Sequence, residues 1–579
     1  MNCSYKGIAP SHLIMKVLHV TFRFGPDIVG GAEHYLMKLS EYLARQGMEV
    51  DIVTTTARHL TQKTHFGVRW DKSHGKGIQH VGPLRVFRFP AQNLPWFLFG
   101  IGAWALQRQW DGEEWHFPLS ERLCPQGQGL LGRGWYYPEI HAEGAMRWTQ
   151  QRAELFINDF EVSQVHLVAR CPKRITGKLM VNGKYVGSFQ PRADFKQFSF
   201  DVRSSGPVHG EVVLSGSWRP LRDVRRLGIS VRDVGYTARG ETKHISLETD
   251  YRFSLLGEPD SLWDRLYQRA TARPEWCGTI FDLLRGPICL GMQRFLRKNA
   301  RHYDVILGHC FPFSTVGYAC REARRAGVPV ALFPLAHLDD DYYHWRHYYQ
   351  LLRRANVVLA ISPYAEQIFR DRLGVNAKYV GAGVERTEFE SAEVSGARFR
   401  QRFQLEHNPF VLFVGRKVMT KRYDLLVKAI ELVNRQTPCQ LILIGPDEDR
   451  TPISSPYVRH LGSLSRADLL DAYDACNVFA MMSESESFGM VFCEARMRKK
   501  PVIGNRQCRP VAALIQDDTD GFLCDTVSDL ASRILLLVGD PLRAQRMGEL
   551  GYQKTVQHHS WEAVAERVKN IYQEIARPT

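Results

Sequence analysis

The sequence predicts a mixed α/β protein of two doubly wound, Rossmann-like lobes, with an all-β sandwich inserted in the first lobe. Three observations predict it. A strand, loop, helix, strand series near the start resumes after residue 300; a second such series begins at Phe410; and short alternating strands fill the gap in the first. The 579 residues allow about three or four cores. A composition of 44% hydrophobic and 24% charged residues excludes a disordered or fibrous chain.

The first unit runs from a strand at Val17 to Thr21, through Gly30-Gly31 and a helix at Ala32 to Gln46, into a strand at Val50 to Thr54. Leu94 to Leu106 is apolar but broken by Pro95, Gly100 and Gly102, and too short to span a bilayer. It reads as a buried hairpin in preference to a surface that dips into lipid. From about 110 to 245 the pattern alternates, with Phe198, Phe200 and Val202 in one run and the turn pair Asn182-Gly183 after Leu179-Met180-Val181. Helical periodicity returns over 259 to 300, and strands at Val305, Val328 and Val357 complete the first lobe. The second lobe opens at Phe410 to Gly415 and includes strands at Leu441 to Ile444 and Val478 to Met481. The expected units are 14–109 and 246–395 for the first lobe, 110–245 for the sandwich, 396–560 for the second lobe, and 561–579 for a helix that packs back on the first.

Lys and Arg exceed Asp and Glu by 76 − 61 = 15, a charge that attracts nucleic acid, an anionic membrane face or phosphorylated small molecules. The basic residues are scattered, which argues against nucleic acid. Twelve cysteines without a Cys-x-x-Cys pair suggest neither a zinc site nor a disulfide framework. The first 14 residues lack a charged-then-apolar leader. A cytoplasmic protein is expected, either soluble or peripheral at the inner face of a membrane.

In an open parallel sheet ligands bind beyond the carboxyl ends of the strands, so the loops after Val414, Ile444 and Met481 should share one cleft. Gly415-Arg416 and Lys421 offer a small residue and two cations, which suits a diphosphate. The segment from Ser483 to Ala495 places Glu486 in a loop, Gly489 at a helix start and Glu494 one to two turns inside that helix, where a carboxylate can accept both hydroxyls of a ribose. A carboxylate complementing the helix dipole would account for Glu484 or Glu486 but not for Glu494.

The spacing Glu486-x7-Glu494, the Gly415-Arg416-x4-Lys421 loop, Gly30-Gly31 and Pro501-Val502-Ile503 resemble the GT-B glycosyltransferases of family four, over about 14 to 95 and 300 to 577. The resemblance implies that Arg416 and Lys421 hold a donor diphosphate, with Gly31 approaching it from the opposite lobe. It implies that Glu494 binds the ribose, and that Glu486 with the Phe488-Gly489-Met490 backbone contacts the donor sugar. His337 matches a family histidine near the anomeric carbon, with His309 a second candidate; His337 and Glu486 are the catalytic candidates. The implied reaction retains anomeric configuration and needs no metal or other cofactor, so Asp339-Asp340-Asp341 is expected to line the acceptor cleft or face solvent. Asn505 to Pro510 departs from the family's glycine pair and acidic residue, and the sandwich lies outside the resemblance. Its Trp135, Tyr136, Tyr137, Trp148 and Trp218 are candidates for stacking on sugar rings.

The implied function is transfer of a sugar, a hexose by expectation, from a nucleotide-sugar to a glycan or lipid-linked acceptor in bacterial surface polysaccharide synthesis. The alternatives are a sugar-nucleotide epimerase, a phosphorylase, for which no cofactor lysine is identifiable, and a non-catalytic glycan-binding protein. A dehydrogenase is disfavoured because Gly30-Gly31 lacks the spaced third glycine of a dinucleotide fingerprint.

Overall fold

The computed structural model describes residues 14–28, 30–63, 68–111, 128–132, 134–136, 139–141, 144–218, 226–247, 262–336, 338, 343–405 and 408–576. Its first sheet has eight strands, in the order Ala377–Tyr379, Val357–Ala360, Val330–Phe333, Val305–His309, Lys16–Val20, Glu49–Thr55, Leu84–Phe89 and Gly77–Val81. All neighbours are parallel except the last pair. The join between the two distant halves is the parallel pairing of Val17 with Val305 and Val20 with Gly308. Val305–His309 is buried throughout, as a central parallel strand requires.

Between those halves the chain forms two antiparallel sheets. One runs Lys184–Phe189, Gly177–Val181, Val208–Leu214, Arg152–Asn158, Gln128–Leu131; the other runs Lys196–Ser204, Val162–Arg170, Ser230–Ala238, Gly144–Trp148, Glu139–His141. Their inward residues, among them Leu155, Val165, Leu167, Leu179 and Val231, form one apolar cluster separate from those of the parallel sheets. Asn182 and Gly183 both have positive φ, 49° and 76°, the geometry a two-residue hairpin between twisted strands demands.

The second parallel sheet has six strands, in the order Val458–His460, Gln440–Ile444, Phe410–Val414, Val478–Met481, Val502–Asn505 and Phe522–Cys524. The closing helix, Trp561–Ala576, lies against the helix Gly31–Arg45 of the first lobe. Trp561 meets Tyr35 edge-on at 5.0 Å, and the Tyr572 hydroxyl lies 3.2 Å from His19 Nε2. Gly383 makes the crossing possible, since a Cβ there would lie 2.4 Å from the Trp561 ring.

One expectation is overturned. Leu94 to Leu106 is not a buried hairpin: the helix Trp96–Asp111 occupies most of it, and Trp96, Phe97, Ile101 and Trp104 are 54–67% exposed. The apolar run is the same signal in either case; only the packing of its other face, through Phe99 and Leu106, tells a core helix from one that presents a surface.

Candidate functional site

The site is built from the carboxyl ends of the second sheet. After Val414 the chain turns at Gly415, whose N–H donates to Ile444 O at 2.9 Å, while Gly445 (φ 142°) packs so close that a Cβ would lie 1.9 Å from Gly415 O. Beneath this contact Lys417, 2% exposed, donates to Asp447 at 2.7 Å and Asp449 at 2.6 Å. A buried ammonium is tolerable only with such partners, and these two tie the loop after Val414 to the loop after Ile444. Arg416 stays accessible, its side chain 58% exposed and 3.0 Å from Glu448.

Lys421 and Glu486 meet at 2.6 Å, both mostly buried. The neighbouring Arg422 joins Glu484 at 2.7 Å, and Glu484 N–H donates to Thr420 O at 3.0 Å, so the loops after Val414 and Met481 are stitched side by side. Gly489 has φ 101°, a conformation strained for any L side chain, and a Cβ there would also press on the Phe492 ring at 3.0 Å. It opens the helix Met490–Met497, which carries Glu494. Glu494 accepts from Arg466 at 2.9 Å and from the buried Tyr473 hydroxyl at 2.8 Å. Burial lowers the pKa of the Arg466 guanidinium, but hydrogen bonds and charge from Glu388 and Glu494 outweigh it and raise the value overall. Burial, then Glu494, pushes the Tyr473 phenol well up, so it remains a donor. Phe488 is buried with its ring against His559, leaving its backbone as the part available to a ligand.

The first lobe supplies the opposite wall. Gly31 begins its helix with open space where a Cβ would stand, and Gly30 lies against Glu33, which Arg23 holds at 2.5 Å. On the first turn, burial and then the charges of Lys38 and Arg466 hold His34 below its usual pKa. A cleft of about 440 Å³, open to solvent, lies between Ile361, Tyr364 and Ala365 of the first lobe and Glu484 to Ser487, Gln507 and Arg509 of the second. His337 and Asp339-Asp340-Asp341 lie outside the described residues; Ala336 and Leu338 line the cleft. His309 is fully buried, near Thr21, with its pKa lowered to about 3 by burial and then by His19. The His309 ring, at the end of a strand of the first sheet, is not among the residues that line the cleft.

The sheets therefore bring Arg416, Lys421, Glu486, Glu494, Gly489 and Met490 to one edge. What sequence reasoning missed is how they are held. Lys417, Arg466, Tyr473 and Arg422 are the clamps; only the Asp447-x-Asp449 spacing after Ile444 hinted at a cation between them. Arg506 is bound to Asp517, Asp525 and Leu523 O within its own lobe, whereas Arg509 is exposed at the cleft.

Of the aromatic residues expected to stack on sugar rings, those described are partly or wholly buried. Trp135 is 9% exposed, lies in the shared core and donates its indole N–H to Glu154 O. Tyr136 donates to Arg226 O at 2.9 Å. Trp148 and Trp218 pack edge to face at 6.0 Å, each half-buried. Tyr137 lies outside the described residues.

Residues 397–554 match the family model described as "Glycosyl transferases group 1", and residues 208–381 match the "Glycosyl transferase 4-like domain". The first match covers Arg416, Lys421, Glu486 and Glu494 together. Both family matches are to glycosyltransferase domains, and the chain is similar to GT-B glycosyltransferases of the family-four type. This chain is 26% identical over 243 residues to a GDP-mannose-dependent monoacylated alpha-(1-6)-phosphatidylinositol monomannoside mannosyltransferase of Corynebacterium glutamicum, covering 38% of this chain and 62% of that protein. It is 28% identical over 356 residues to a D-inositol 3-phosphate glycosyltransferase of Kineococcus radiotolerans, covering 53% and 81%. The first-matched relatives are thus spanned over about three fifths of their length, 62% in the Corynebacterium case. Among solved structures, sucrose-phosphate synthase from Thermosynechococcus elongatus aligns over 97% of this chain and 98% of its own, at 14% identity and TM-score 0.49. The second family match begins at residue 208, within the antiparallel sheets, and ends in the first lobe.

Proposed function

We propose that the protein is a retaining glycosyltransferase that moves a sugar, a hexose in this reading, from a nucleoside-diphosphate sugar to a lipid-linked or glycan acceptor at a membrane surface. One observation carries the reading: two cations and two carboxylates converge at the carboxyl edge of the second sheet, each oriented by a partner of opposite polarity. Arg416 and Lys421 take the diphosphate, and Glu494, aimed by Arg466 and Tyr473, accepts the ribose hydroxyls. When phosphate oxygens occupy Lys421, Glu486 is released from its 2.6 Å pair and turns to the sugar hydroxyls.

The bond from the anomeric carbon to the diphosphate oxygen breaks while the acceptor hydroxyl oxygen bonds to the same face of that carbon. The departing phosphate oxygen takes the hydroxyl proton, so no protein nucleophile is needed and the chain contributes positioning and charge. His337 acts beside the anomeric carbon in this reading, and no metal is required.

The exposed Trp96, Phe97, Ile101 and Trp104 face supports a membrane-bound acceptor, because a large apolar surface on one helix is costly in water and suits a lipid interface. No helix among the described residues is long and apolar enough to cross a membrane. The name of the phosphatidylinositol monomannoside mannosyltransferase relative points the same way, while the D-inositol 3-phosphate glycosyltransferase relative is named for a water-soluble acceptor.

The test is calorimetric titration with UDP, GDP and ADP, repeated on Arg416→Ala. One nucleotide that binds, and binds at least tenfold more weakly to the variant, supports the donor site and names its base. No binding at millimolar concentration removes the reading.

A further inference from the structure

The second antiparallel sheet carries a polar cluster that sugar transfer does not use. His166, in Val162–Arg170, lies directly across from Gly235 in Ser230–Ala238, and His244, in Glu241–His244, is Gly235's partner on the other side. Directly opposed residues share a face of a sheet, and Asp233, two residues before Gly235, shares it too. Val165 and Leu167, which flank His166, belong to the shared core, so the cluster is on the opposite face.

Gly235 is what lets the groups converge, because a Cβ there would lie 2.1 Å from His166 Nε2. Asp233 lies 2.8 Å from His244 Nδ1 and 3.5 Å from His166 Nε2. One ligand atom from each residue lies within 4.8 Å of the other two.

We propose that His166, Asp233 and His244 bind a divalent transition-metal ion, zinc by the chemistry of the ligands, with a fourth position open to water or another oxygen ligand. Metal–nitrogen bonds of about 2.0–2.1 Å in a tetrahedron place neighbouring ligand atoms about 3.3 Å apart. The 2.8 Å from Asp233 Oδ1 to His244 and the 3.5 Å from Asp233 Oδ2 to His166 are of that order, each carboxylate oxygen facing one ring, and His244, whose side chain is 61% exposed, has room to turn. Imidazole with carboxylate is a donor set for zinc in preference to calcium or magnesium. The ion joins three neighbouring strands and pins Glu241–His244 to the sheet. It is separate from the transfer site and plays no part in the donor reading, so the absence of a cofactor expected from the sequence concerns the reaction only.

The test uses the full-length chain, stripped with chelator and titrated with zinc chloride, with cobalt as a spectroscopic substitute. The expected result is one high-affinity equivalent, cobalt bands of a four-coordinate nitrogen and oxygen site, and a zinc-dependent rise in melting temperature. His244→Ala and Asp233→Asn, both at partly exposed positions, should lose all three while binding the nucleoside diphosphate as the parent does. Retention of the equivalent in both variants, or no equivalent at micromolar zinc in the parent, overturns the proposal and leaves these residues as an Asp-linked histidine pair.

Discussion

Lys421 and Glu486 set up a competition that two substitutions can separate. Their ion pair spans 2.6 Å with side chains only 17% and 13% exposed, so an incoming diphosphate contends with Glu486 for one ammonium. At that distance the gross attraction is about 6 kcal/mol for an effective dielectric constant near 20. Desolvation of both groups cancels much of it, and a charge-assisted hydrogen bond of about 1.5–3 kcal/mol remains. Lys421→Ala removes the same order of interaction from the bound diphosphate, so nucleoside diphosphate affinity should fall by about 10- to 150-fold. Glu486→Gln keeps the shape but withdraws the competing charge. Affinity for the sugar-free diphosphate should then stay level or tighten, by up to about tenfold, while transfer from the intact sugar nucleotide falls at least tenfold because a sugar-binding carboxylate is lost. Calorimetry with the nucleoside diphosphate and steady-state turnover provide the two readouts. If Glu486→Gln weakens diphosphate binding as much as Lys421→Ala does, the carboxylate is part of the phosphate site and the competition does not exist.

Glu494→Ala should weaken nucleotide binding at least tenfold, whereas Tyr473→Phe, which removes one hydrogen bond and leaves Arg466 in place, should cost about 1 kcal/mol; titration of both against the parent checks the order. Lys417→Ala leaves the buried Asp449 without its cation and should destabilise the fold by about 3 kcal/mol, seen as a clear drop in melting temperature; an unchanged melting point would mean that the loops do not depend on it. His19 and His309 are buried neutral, each with its pKa lowered to about 3, so the unfolded chain takes up protons below its ordinary value near 6.5 while the folded chain does not. Stability is therefore lost as pH falls from 6.5 towards 3, by about 2 kcal/mol per histidine at pH 5, and His19→Gln should flatten that acid limb in a melting series. Replacing Trp96, Phe97 and Ile101 together by serine should abolish cosedimentation with anionic vesicles and leave nucleotide affinity intact; vesicle binding that survives rules out this helix as the contact.

Much of the site was legible because its parts lie within two short stretches of chain. Arg416 and Lys421 share one loop, and Glu486, Gly489 and Glu494 share another, so the rule that strand ends meet at one cleft was enough to join them. The fold was legible for a related reason. Fully apolar runs such as Phe410–Val414 mark parallel strands, and the Asn182-Gly183 pair marks a hairpin, whatever surrounds them. The partners that orient the site were not legible, since Arg466, Tyr473 and Asp449 become neighbours only once the second sheet has formed.

The two places where sequence and structure part are instructive for the same reason. Trp96 and Trp135 are both tryptophans in apolar surroundings, yet one is 60% exposed on a helix and the other closes a core with its N–H satisfied by Glu154. A side chain's type states what its burial would gain; which face of its element finds a partner decides whether it is buried. The same dependence produces the His166, Asp233 and His244 cluster, whose members are 67 and 11 residues apart and match no spacing motif. They meet because two strands pair on either side of one glycine, so Gly235→Ala tests the geometry itself. A methyl group in the space now held by the His166 ring should displace that ring and weaken zinc binding while all three ligands remain.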